Sequence, residues 1–170
     1  RFTILGQILY VSIFIICFNF YLTLFRKDYF EKVRSAAMLY ALIVVFVVTA
    51  SMMVKHSVLH IYIRPFAMIP IFVRVFMDSR TAFIVHMTTV LICACILQHP
   101  LEFIAVETVA GMIAIYCLRE LSSRSQLFWT AVLITVGMAL TNLALDWIDH
   151  SDISSINLSE YNIIVVNGLI

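Results

Sequence analysis

Residues 2–25, FTILGQILYVSIFIICFNFYLTLF, carry no charged side chain. A run of that length crosses the hydrocarbon core of a bilayer as one helix, at about 20 residues per crossing. Inside lipid every backbone hydrogen bond must be made internally, so a spanning segment is a helix or part of a closed barrel. No apolar–polar alternation of strand period competes with the helical reading. Further apolar runs follow at about 35–54, 61–77, 81–97, 101–118 and 127–146, and another opens near Ile163. The composition agrees: 63% of the 170 residues are hydrophobic and 12% charged, against about 45–50% and 25% in soluble domains. The expected fold class is all-α: one polytopic transmembrane helix bundle over residues 1–170, with six complete spans and a truncated seventh (163–170).

The connections alternate in character. One set comprises 26–34 (RKDYFEKVR), 78–80 (DSR) and 119–126 (RELSSRSQ). It holds Arg26, Lys27, Lys32, Arg34, Arg80, Arg119 and Arg124, seven basic residues. The other set comprises 55–60 (KHSVLH), 98–100 (QHP) and 146–162, and its one Lys or Arg is Lys55. Short loops rich in Lys and Arg stay on the cytoplasmic side. The chain is therefore expected to start outside, at Arg1, and to end towards the cytoplasm. Because it begins without Met and stops inside an apolar run at Ile170, it reads as part of a longer protein. A net charge of +1 without a basic stripe gives no footprint for nucleic acid.

Four ionisable residues lie inside the apolar runs. Arg64 sits near the outer end of the third span and Arg74 near its inner end. Glu107 lies in the outer half of the fifth span, and His86 in the inner half of the fourth. Such residues face the bundle interior and pair, because an unpaired charge at the bilayer centre costs about 2.5–3.5 kcal/mol on insertion scales. Arg64 with Glu107 forms one expected pair, and Arg74 with His86 lines a second small polar pocket. Arg74 also stands one turn from Asp78, the spacing of an i,i+4 ion pair. These four are the candidates for ligand sensing or signal relay. Both arginines also have a simpler role, reaching with the charged head to the nearer interface.

Pro65 and Pro70 each remove one helix hydrogen bond, which marks the third span as bent. Gly111 lies between Ala110 and Ala114 in the fifth span, a small-residue face of the kind that lets membrane helices approach closely. Pro65, Pro70 and Gly111 are thus hinge candidates. The four cysteines (Cys17, Cys93, Cys95 and Cys117) all lie in apolar runs; Cys93 and Cys95 face different directions on a helix and form no metal motif. No nucleophile elbow, zinc helix or phosphate loop occurs. Neither a catalytic residue nor a cofactor is assigned to this segment.

The stretches 64–82 (RPFAMIPIFVRVFMDSRTA), 101–133 (LEFIAVETVAGMIAIYCLRELSSRSQLFWTAVL) and 166–170 (VNGLI) resemble the membrane module of the seven-transmembrane HD-hydrolase receptors. These are bacterial membrane proteins that include cyclic di-AMP phosphodiesterases. The shared features are a proline-rich third span, an Asp-Ser-Arg turn, a glycine in the fifth span, a Tyr-x-Leu-Arg end, an Arg-Ser turn and an Asn-Gly opening the seventh. The first two spans match in position and hydropathy.

The resemblance implies an extracytoplasmic sensor domain before Arg1 and a cytoplasmic HD phosphohydrolase domain after Ile170. That domain would carry the catalytic residues and a divalent metal, manganese or iron. The segment itself would anchor the protein and relay an outside signal to the hydrolase. Its expected partners are the bilayer of the bacterial cytoplasmic membrane, its own flanking domains and, as one option, further copies in a homo-oligomer. A competing reading of the same residues is a small transporter or channel subunit with Arg64, Glu107, Arg74 and His86 along a polar path. Transporter sequences show matching halves with polar residues at the midplane. Here the halves do not match and the polar residues lie off-centre, which ranks that reading lower.

Overall fold

The computed structural model describes residues 2–28, 33–56, 66–97, 99–118, 124–149 and 165. Within them the chain forms six helices: α1 (Phe2–Phe25), α2 (Val33–His56), α3 (Met68–Phe76), α4 (Ser79–Ala94), α5 (Pro100–Cys117) and α6 (Arg124–Asp149). No strand occurs among the described residues.

Four of the helices, α1, α2, α5 and α6, are long and apolar enough to cross a membrane. Six complete spans were expected from the apolar runs; within the described residues the other two runs form shorter helices. The fourth run is helical for 16 residues as α4 and closes in tight turns, with Ile96 N–H bonded to Cys93 O at 3.0 Å and Leu97 N–H to Ala94 O at 3.2 Å. In the third run the nine-residue α3 begins at Met68; residues 61–65 lie outside the described residues, as does the expected seventh span apart from Val165.

The helices pack in an antiparallel register that can be followed contact by contact. Tyr10 Oη donates to Leu91 O at 3.2 Å, Tyr21 Oη lies 3.5 Å from Thr81 Oγ1, and Arg26 pairs with Asp78. As residue numbers rise along α1 they fall along α4, so the end of α1 and the start of α4 share one end of the bundle. The Phe18–Tyr40 edge contact sets α1 against α2. Phe66 stacks edge-on against Phe103 with ring centroids 5.2 Å apart, so α3 and α5 begin at a common end.

The hub is α4, which touches α1, α2, α3 and α5. Its buried residues run round the helix and include Val85, Val90, Ile92 and Cys93. The outer faces are apolar too: Ile4, Leu5, Ile8 and Leu9 on α1 and Val44, Val45 and Val48 on α2 are all exposed. A soluble protein rarely leaves so broad an apolar surface bare; with lipid as solvent it is the expected exterior. The molecule is an integral membrane protein.

Candidate functional site

Membrane helices associate through close packing and hydrogen bonds, since lipid is as apolar as the residues it meets. Three buried hydroxyls follow that rule within their own helices. Thr89 donates to Val85 O at 2.8 Å, Thr130 to Gln126 O at 2.7 Å and Thr135 to Ala131 O at 2.8 Å. His86 and Glu107 do something else. Both have 0% exposure, and they meet at the seam between α4 and α5.

Gly111 makes this meeting geometrically possible. A Cβ built on Gly111 would fall on the His86 ring, so the imidazole lies directly against the α5 backbone. One turn earlier, the Glu107 carbonyl is uncovered on the same face, and His86 Nε2–H donates to it at 2.8 Å. Beside this contact Thr108 Oγ1 donates to Met87 Sδ at 3.6 Å, which fixes the same register. The Glu107 side chain is a different matter: neither carboxyl oxygen, nor His86 Nδ1, has a hydrogen-bond partner among the described residues. Buried polar groups are almost always paired, and an exception calls for a functional account.

The structure joins candidates that the sequence had separated. Counting inward from span ends put Glu107 in the outer half and His86 in the inner half, as parts of two pockets. The antiparallel register of α4 and α5 brings them level instead, so Glu107, His86 and Gly111 form one seam. Of the two residues expected to line the inner pocket, His86 bonds through Nε2 to Glu107 O, and its Nδ1 has no hydrogen-bond partner among the described residues. Arg74 itself sits half-buried in the last turn of α3, where a cation complements the helix dipole. Arg64 and Pro65 lie outside the described residues.

Pro70 is buried in the first turn of α3. Its missing N–H falls where a helix has no partner for one. The Phe66 carbonyl, one turn before the N–H that Pro70 lacks, accepts from Ile69 N–H at 3.0 Å. Pro70 therefore lies where a helix starts, and the bend expected of the third span falls partly on residues 61–65, outside the described residues. Ala110 and Ala114 face α6, in a cluster with Val106, Ile134 and Met138, while Gly111 faces α4. The small-residue stretch of α5 thus serves two neighbours.

Two features escaped sequence reasoning. Asp78 was paired on paper with Arg74, one turn away, yet its carboxylate receives Arg26 from 52 residues earlier. The signal available was that 26–34 and 78–80 are both basic-set loops and so share an end. Asn142 on α6 is 5% exposed, and its Nδ2 lacks a partner among the described residues; nothing in its apolar context singled it out. Among the described residues no group of three His, Cys, Asp or Glu side chains is placed to hold a metal ion.

A family model described as "7TM receptor with intracellular HD hydrolase" matches residues 1–170, and the chain belongs to that family. No curated protein matches, and no solved structure does.

Proposed function

We propose that this chain is the membrane-embedded anchoring and relay module of a bacterial HD-domain phosphodiesterase acting on a cyclic dinucleotide, cyclic di-AMP. It couples an extracytoplasmic signal to a cytoplasmic hydrolase. The observation that carries this reading is the family match over the whole of 1–170. In this reading the third and fourth apolar runs complete six spans and 163–170 opens the seventh. The basic loops lie in the cytoplasm, the sensor domain precedes Arg1, and the HD domain with its divalent metal, manganese or iron, follows Ile170. Chemistry takes place in that domain, where water opens one phosphodiester bond of the cyclic substrate to give the linear dinucleotide.

The relay element in this proposal is the α4–α5 seam. A relay needs two packings of similar free energy and a signal that favours one of them. The bare Glu107 carboxyl is a group whose partner can differ between the two packings. Arg64, on the segment leading to α3, is the proposed partner in one of them. Arg74 and the Pro65–Pro70 segment transmit movement from that segment to the cytoplasmic end.

The test is made on the whole encoded protein, purified in detergent with manganese and cyclic di-AMP, following appearance of the linear dinucleotide. Hydrolysis that disappears when the region after Ile170 is deleted supports the module reading. Glu107→Gln should leave hydrolysis intact but change its response to the sensor. Absence of hydrolysis from the intact protein overturns the substrate assignment; an unaltered response in Glu107→Gln removes the seam from the relay.

A further inference from the structure

A lateral groove of about 790 Å³ opens between the end of α1, the start of α4 and the end of α5. Its volume falls in the range of about 300–1,000 Å³ common to small-molecule sites. The walls are apolar: Phe25, Phe83, Ile84, Met112 and Tyr116, of which Phe25, Phe83, Met112 and Tyr116 are exposed. The polar end is formed by Ser79 and Arg80. The Arg26–Asp78 ion pair stands at the same end of the bundle, which is where the apolar helices stop.

That end of the groove is prepared for an anion. Asp78 occupies the N-cap position of α4 with extended backbone, yet its side chain makes no capping hydrogen bond. Its carboxylate is turned to Arg26 and its charge is matched there. The first-turn N–H groups of α4 are consequently left without a side-chain cap, and a helix start of this kind attracts negative charge. Arg80 is exposed and makes no ion pair among the described residues. Among the described residues, an apolar groove that ends at an exposed guanidinium without an ion-pair partner and at a helix start without a side-chain cap has the two-part chemistry of a phospholipid: acyl chain below, phosphate above.

We propose that this groove binds an anionic phospholipid of the leaflet on the Arg26–Asp78 side, its headgroup phosphate on Arg80 and Ser79 and one acyl chain along Phe83, Met112 and Tyr116. The site is distinct from the Glu107 seam and does not depend on the hydrolase reading. A zwitterionic lipid fits the apolar walls equally well, so headgroup preference is the property that separates a site from ordinary solvation by lipid.

The test uses the whole protein in nanodiscs of mixed phosphatidylglycerol and phosphatidylcholine, released into detergent and weighed by native mass spectrometry. Retained phosphatidylglycerol should exceed phosphatidylcholine by about fivefold, the factor for one cationic side chain at an anionic surface. Arg80→Gln should abolish the preference, Met112→Trp should reduce retention of both lipids, and Arg34→Gln, at an exposed arginine outside the groove, should change neither. Equal retention of the two lipids by the unmodified protein, or a preference that survives Arg80→Gln, overturns the proposal. So does a stable dimer without bound lipid that Met112→Trp dissolves, since the groove would then belong to a second copy of the chain.

Discussion

At the scale of single residues, the seam between α4 and α5 depends on what Gly111 lacks. A methyl group there would occupy the space of the His86 ring, and inserting a methyl into packed helices costs about 1–3 kcal/mol. Gly111→Ala should therefore lower the thermal midpoint of the detergent-solubilised protein. His86→Ala should also destabilise it, by losing packing and the bond to Glu107 O. The double variant should be less damaged than the two losses added, because the clash vanishes with the ring; residues in contact couple by about 0.5–3 kcal/mol. Strict additivity would show that the ring moves aside freely and that Gly111 has no part in the register. The Arg26–Asp78 pair predicts a smaller effect. Both side chains are about one-third exposed (29% and 34%), so neutralising either should cost no more than about 1 kcal/mol. Exchanging the two charges should restore most of it.

At the scale of elements, what could be read from the sequence followed from what lipid demands. The run 2–25 coincides with α1, and 101–118 with α5 to within one residue at each end, because the length of an apolar run and its charged margins fix a spanning helix. The facing of helices could not be read the same way. A helix that is apolar all round gives no stripe to say which side meets a neighbour. Hence the level meeting of His86 with Glu107, and the choice of Arg26 by Asp78, came only with the packing. The form of the third run was hidden for a related reason: a proline in an apolar run is compatible with a bent helix or with a new helix start. The latter occurs at Pro70. Pro70→Ala should accordingly change stability by less than about 1 kcal/mol. A proline placed inside α3, as in Val73→Pro, should cost about 3 kcal/mol or more. Thermal unfolding distinguishes the two. If the Pro70→Ala protein also keeps its full response to an outside signal, the proposed relay does not run through α3.

At the scale of the whole molecule, the loops and the packing together determine sidedness. Seven basic residues in one loop set against Lys55 in the other predict that the first set is cytoplasmic. The packing adds an independent constraint: the contacts from Tyr10–Leu91 through Arg26–Asp78 place the end of α1 and the start of α4 together, so their loops cannot lie on opposite faces of the membrane. His99, which precedes Pro100 at the first position of α5, stands at the end that α3 also starts from, marked by the Phe66–Phe103 stack. Orientation can thus be measured with three cysteines in a protein whose native Cys17, Cys93, Cys95 and Cys117 are replaced by alanine or serine. A membrane-impermeant maleimide applied to intact spheroplasts should label His99→Cys and leave Lys27→Cys and Arg80→Cys untouched. Permeabilising the membrane should expose the latter two together. Labelling of Lys27→Cys and Arg80→Cys in intact cells would invert the bundle and move the end of the chain away from the cytoplasm, where an intracellular hydrolase must sit. Labelling of one of these two without the other would instead contradict the antiparallel packing of α1 against α4, because their loops share an end only if that register holds.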